Sequence, residues 1–146
     1  MDSLINIDKY KFSTKLQLRY EEFDTFFHLN NIAFLSCCQY GRDIFFKTNL
    51  PLFNWGETPF VVASNLINYH KEILLGVSEV KIYVRLSEIG NKSITIEHLI
   101  VSTNVKNKEQ EINCYNKAVL VRLDVKTRKS ILIEDYLRND FNKLIN

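Results

Sequence analysis

Glycine, proline, cysteine and tryptophan are scarce in this chain, at four, two, three and one of 146 residues. No Pro- or Gly-rich stretch marks a linker and no repeat divides the chain. One domain over residues 1–146 is therefore expected, with its core at about residues 10–133. A second independent core would need a longer chain. Cys37, Cys38 and Cys114 are odd in number and fit no zinc spacing. Met1-Asp2-Ser3-Leu4 lacks the basic-then-apolar order of a secretory leader. Together these predict a reduced, cytoplasmic protein. No apolar run approaches the ~18 residues that a membrane span needs. No charge of one sign dominates, since 19 Lys and Arg face 17 Asp and Glu. No basic face interleaves with aromatics, so nucleic acid is not an expected partner. No pair or triad of side chains has metal-ligand spacing, so no metal is expected.

Hydrophobic residues make up 46% of the chain and charged residues 25%, which describes a globular domain and not a disordered one. Ten Phe and seven Tyr suffice for a rigid core or a lined pocket. Phe12, Thr14, Leu16, Leu18 and Tyr20 alternate with polar residues and predict a half-buried strand. A helix follows from Asn30 or Asn31 to about Thr48, either Asn serving as N-cap and Pro51 lying beyond its end. Its apolar residues lie on several sides, as in a helix wrapped by other structure. Gly41 would let its backbone approach a neighbour closely. Residues 60–69, 77–86, 93–103 and 112–125 read as strands, the last long enough to need a bulge or strong curvature. Residues 134–144 read as a short terminal helix. Four consecutive strands with short turns predict an antiparallel meander, and the whole an α+β layer fold.

The richest segment is Tyr20-Glu-Glu-Phe-Asp24-Thr-Phe-Phe-His28-Leu-Asn30-Asn31. It sets a carboxylate, an imidazole and two amides at a helix entrance, where unpaired N–H groups and the positive dipole end gather. A carboxylate there can attack, or activate water against, a carbonyl polarised by those N–H groups. On the residues alone Asp24 reads first as a turn residue or helix N-terminal acid, and His28 equally well as a structural histidine. Cys37 and Cys38 have no His at helical spacing and read as inert packing, as does Cys114. His70 and His98 lie in strands and read as structural or surface residues.

The pattern Asp-x-x-x-His-x-Asn-Asn, then eleven residues to an Arg, is met by Asp24, His28, Asn30, Asn31 and Arg42. It resembles the hotdog-fold thioesterases, in particular the 4-hydroxybenzoyl-CoA thioesterase-like branch that includes long-chain acyl-CoA thioesterases. Asn68-Tyr69, residues 89–93 and residues 121–128 are weaker echoes in the same order. The resemblance covers roughly residues 19–133. It implies a curved antiparallel sheet of about five strands around one long helix, and a homodimer or homotetramer joined edge to edge. It also implies hydrolysis of an acyl-CoA or acyl-carrier-protein thioester with no cofactor. Asp24 would be the nucleophile or general base. His28, Asn30, Asn31, Tyr69, Lys92 and Ser93 would bind substrate, Lys92 against coenzyme A phosphates. The chain departs from the family at Phe27, where many relatives have Gly, and at Gln39, where many have an acid. No Glu lies between Asn30 and Thr48. A non-catalytic acyl-binding protein on the same fold is the alternative, and a hotdog dehydratase or hydratase a weaker third.

Overall fold

The structure, a computed structural model, describes residues 5–145. The Met1–Leu4 start and the last residue of the expected domain lie outside them. Strand β1 (Phe12–Leu16) leads through a short 3-10 turn at Tyr20–Glu22 to helix α1 (Asn31–Asn49). Then come β2 (Phe60–Tyr69), β3 (Ser78–Ile89), β4 (Ser93–Asn104), β5 (Gln110–Arg122) and helix α2 (Asp135–Asn142). All five strands form one antiparallel sheet in the order β1-β3-β4-β5-β2. This is a hotdog fold.

Two expectations are corrected. The first strand ends at Leu16 and not at Tyr20. Beyond it, the Arg19 N–H donates to Glu22 Oε2 at 2.7 Å, and the chain turns where alternation alone suggested extension. The four later strands are not a simple meander. Only β3, β4 and β5 are neighbours in sequence order, while β2 crosses to the far edge and pairs with β5. Periodicity identifies strands but not partners, so this crossing was invisible in the sequence.

Helix α1 lies on one face of the sheet. Its buried residues are Ala33, Phe34, Cys37, Cys38, Gly41, Arg42, Phe45 and Phe46, a double row at helical spacing. Tyr40 and Ile32 are exposed, so the curved sheet covers the helix along its inner face and leaves the outer one open. Gly41 meets its expectation: a Cβ there would stand 2.8 Å from Ile82 on β3, a fully buried residue. Beyond α1, Phe53, Trp55 and Phe60 join Phe46 and Phe141 of α2 in one aromatic cluster, so Phe53 and Trp55 are packing residues here. Glu134, before α2, receives the buried Arg122 guanidinium through Nε at 3.0 Å and Nη2 at 2.9 Å. On the sheet's opposite face, Ile5, Ile7 and Tyr10 cover Leu99 and Val101 as a smaller second core.

The expected irregularity in β5 is a bulge. Ile100 pairs with Cys114 and Val101 with Ile112, so Asn113 is the extra residue. Its fully buried side chain accepts from the Ser102 N–H at 2.8 Å and donates to the Glu72 carbonyl at 3.1 Å. Its own carbonyl accepts from the N–H groups of His70 and Lys71 at 2.8 and 3.2 Å. One bulged asparagine therefore fixes the start of the β2–β3 connection.

Candidate active site

Asn30 caps α1, its Oδ1 accepting from the Ala33 N–H at 2.8 Å. The N–H groups of Asn31 and Ile32 find no protein acceptor among the described residues. Two donors at the positive end of a 19-residue helix are thus free for a developing negative charge. The loop before the cap is closed by Asp24. Its Oδ1 accepts from the N–H groups of Phe26 and His28, both at 2.9 Å, and its own N–H donates to the His28 carbonyl at 2.8 Å. This is the turn role open to any Asp. It engages one carboxylate oxygen; Oδ2 makes no hydrogen bond among the described residues. The two readings of Asp24 are therefore compatible in one side chain.

The same loop explains the departure at Phe27. Its φ is +62°, in the left-handed region that favours Gly. Most side chains cost about 1–2 kcal/mol there, so Gly would be the unstrained residue at this position. In this chain the conformation is held by pairing of residues 27–29 with residues 73–75. Leu29 N–H donates to the Ile73 carbonyl at 2.9 Å and Leu75 N–H to the Phe27 carbonyl at 3.0 Å.

Asp24, His28, Asn30, Asn31 and Tyr69 come together around one open cleft of about 530 Å³, with Phe34 and Glu72 also in its lining. Tyr69, at the end of β2, donates its hydroxyl to the Asn31 carbonyl at 3.3 Å and sets its ring edge-on to Phe34. Lys92 and Ser93 are not brought to this cleft within one chain. Lys92 ends the β3–β4 turn and Ser93 opens β4, where it pairs with Val121, whereas Tyr69 pairs with Cys114. Seven residues of β5 separate those levels, about 23 Å at strand rise.

Sequence reasoning missed Glu72. Its Oε2 lies 3.1 Å from Nε2 of His28, so a second carboxylate enters the cleft from the β2–β3 connection. No periodicity or spacing signalled it, because it lies 44 positions from its partner and depends on the Asn113 bulge.

The cysteines are buried, as expected. Burial first, and then Glu22, pushes the Cys37 thiol up to about 12. Contact with Cys114 and burial push Cys38 up as well. Neither thiol ionises near neutral pH, so neither is a nucleophile. Arg42 of the sequence pattern is buried on α1, and burial lowers its pKa. Fully buried His98 is pushed down to about 3, by burial first and then by Arg42. It is a neutral core histidine. Among the described residues no group of three His, Cys, Asp or Glu could hold a metal ion, and no helix is long and apolar enough to cross a membrane.

Comparison with known proteins points the same way. The chain is 27% identical over 122 residues to YsmA, an uncharacterized protein of Bacillus subtilis strain 168, spanning 84% of this chain and 79% of YsmA. A thioesterase from Thermus thermophilus, solved in complex with coenzyme A and Zn, is 26% identical. It superposes with a TM-score of 0.76, over 93% of this chain and 95% of that one. A predicted thioesterase from Bacillus stearothermophilus shares the fold at a TM-score of 0.79 and 24% identity, covering 92% and 96% of the two chains. The family model of the thioesterase-like superfamily matches residues 18–141. With the helix-start cleft and the five-stranded sheet, that match over most of its length makes this chain a member of the thioesterase-like superfamily.

Proposed function

We propose that this protein hydrolyses an acyl-CoA or acyl-carrier-protein thioester, as a member of the 4-hydroxybenzoyl-CoA thioesterase-like branch. One observation carries the reading. Two unpaired N–H groups, of Asn31 and Ile32, stand at the helix start, and Asn31 and Asp24 line one cleft there. The thioester carbonyl would accept from those N–H groups, which stabilise the oxyanion of a tetrahedral intermediate. Asp24 would attack the carbonyl carbon through its free Oδ2, giving a mixed anhydride that water then cleaves to free acid and Asp24, or it would take a proton from the attacking water. Collapse of the intermediate expels the thiolate, a good leaving group, so a strong general acid is not needed. His28, Asn30, Asn31 and Tyr69 would bind the substrate around the carbonyl. No cofactor enters the reaction.

The coenzyme A bound to the Thermus relative supports a CoA thioester as substrate. Lys92 and Ser93 enter this reading through a second copy. Strand β2 is a sheet edge and exposes Val61, Val62, Leu66 and Tyr69. An antiparallel pairing of two β2 edges would close both sheets into one and cover those residues. It would also set the Phe60 end of one copy, with its β3–β4 turn, beside the Tyr69 end of the other. The partner subunit's Lys92 and Ser93 would then serve the phosphates. We place the protein in the cytoplasm, where CoA thioesters are made and used.

A second reading, acyl binding without turnover, is favoured by the engagement of Asp24 Oδ1 in its own loop. Direct separation of free CoA from short, long and aromatic acyl-CoA substrates decides between the two. Released CoA supports hydrolysis, and binding without release supports the second reading.

A further inference from the structure

We infer that Glu72 is a positioning residue for His28, orienting the imidazole of the cleft from a different part of the chain. The inference rests on the thioesterase reading above. Oε2 of Glu72 lies 3.1 Å from Nε2 of His28. An imidazole whose Nε2 is held by a carboxylate loses its freedom to rotate.

Both partners stand on fixed backbone. His28 lies in the segment zipped to residues 73–75 by the two hydrogen bonds from Leu29 and Leu75. Glu72 is held through its carbonyl by the buried Asn113 amide, and the two residues before it donate to the Asn113 carbonyl. The contact is therefore set by a bulge inside the sheet and not by a loose surface loop. Of the two carboxylates in the cleft, only Glu72 contacts the ring: Asp24 Oδ1 accepts from backbone N–H groups, and Lys71 turns to Glu111 at 3.7 Å. The two side chains are 41% and 58% exposed. At that exposure an ion pair adds little to stability, so what the contact supplies is orientation.

The test uses Glu72→Ala, which removes the acceptor, and Glu72→Gln, which keeps an oxygen able to accept. Turnover of an acyl-CoA cleaved by the wild type is measured together with the NMR resonances of the His28 ring. We expect Glu72→Ala to lower kcat about tenfold or more, as misplaced groups do, with KM and melting temperature little changed. His28 ring resonances should move while those of His98 stay. Glu72→Gln should retain most of kcat. Unchanged kcat in Glu72→Ala, unmoved His28 resonances, or equal losses in both variants would overturn the inference. Wild-type turnover beside an indifferent Glu72→Ala sinks this inference alone. A wild type with no turnover on any thioester sinks the parent reading, and this one with it.

Discussion

At the scale of single residues, the site divides into groups that face the cleft and groups that hold those in place. Asp24 does both, through its two oxygens. His98 does neither, yet it shapes how the protein responds to acid. Burial and the positive charge of Arg42 lower its pKa from the ordinary 6.5 to about 3. The folded state therefore binds this proton less readily than the unfolded state. The stability that neutral His98 contributes is expected to be fully present above about pH 6.5 and to be lost as the pH drops toward about 3, by at most ~1.4 kcal/mol per pH unit. A denaturant titration series across that range should show the loss, and a folded His98→Gln variant should show less of it. An identical pH dependence in the two proteins would remove His98 from the acid response. In the sequence Asp24, His28, Asn30 and Asn31 were legible because they lie within one short segment. Glu72 was not, because its partnership is tertiary.

At the scale of elements, α1 connects the site to the core. Its start supplies the cap and the free N–H groups, and its middle fits against β3 at Gly41. A methyl group at Gly41 would press into Ile82, which has no room to withdraw. Overpacking costs about 1–3 kcal/mol, against about 1 kcal/mol that Ala gains over Gly in a helix. Gly41→Ala should therefore lower the denaturation midpoint, and Ile82→Val in the same chain should recover part of the loss. A more stable Gly41→Ala protein would mean that the helix can lift away. Helix limits, the Gly41 approach and the irregularity of β5 could be read from periodicity and residue type. The end of β1 could not, because alternation continued through residues where side chain to backbone bonding had already turned the chain.

At the scale of the molecule, the position of β2 matters most. A meander would have left it beside β3, with its neighbours' apolar surface inside one chain. At the far edge it presents Val61, Val62 and Leu66 outward. We expect light scattering to give at least a dimer, and Val62→Lys to shift it toward monomer. If the partner subunit's Lys92 serves the cleft, Lys92→Ala should raise KM for CoA thioesters more than it lowers kcat. The reverse pattern would remove Lys92 from phosphate binding. The strand count and fold class were legible in the sequence, but the far-edge place of β2 was set by pairing that no local pattern encodes.

The most direct test of the central claim is free CoA release by wild type and a folded Asp24→Asn protein on the same acyl-CoA. Asn keeps an oxygen to accept from Phe26 and His28, so the loop should stay closed. The account predicts that the variant keeps the wild-type melting temperature and loses most of kcat. Wild-type turnover in the folded variant would contradict it.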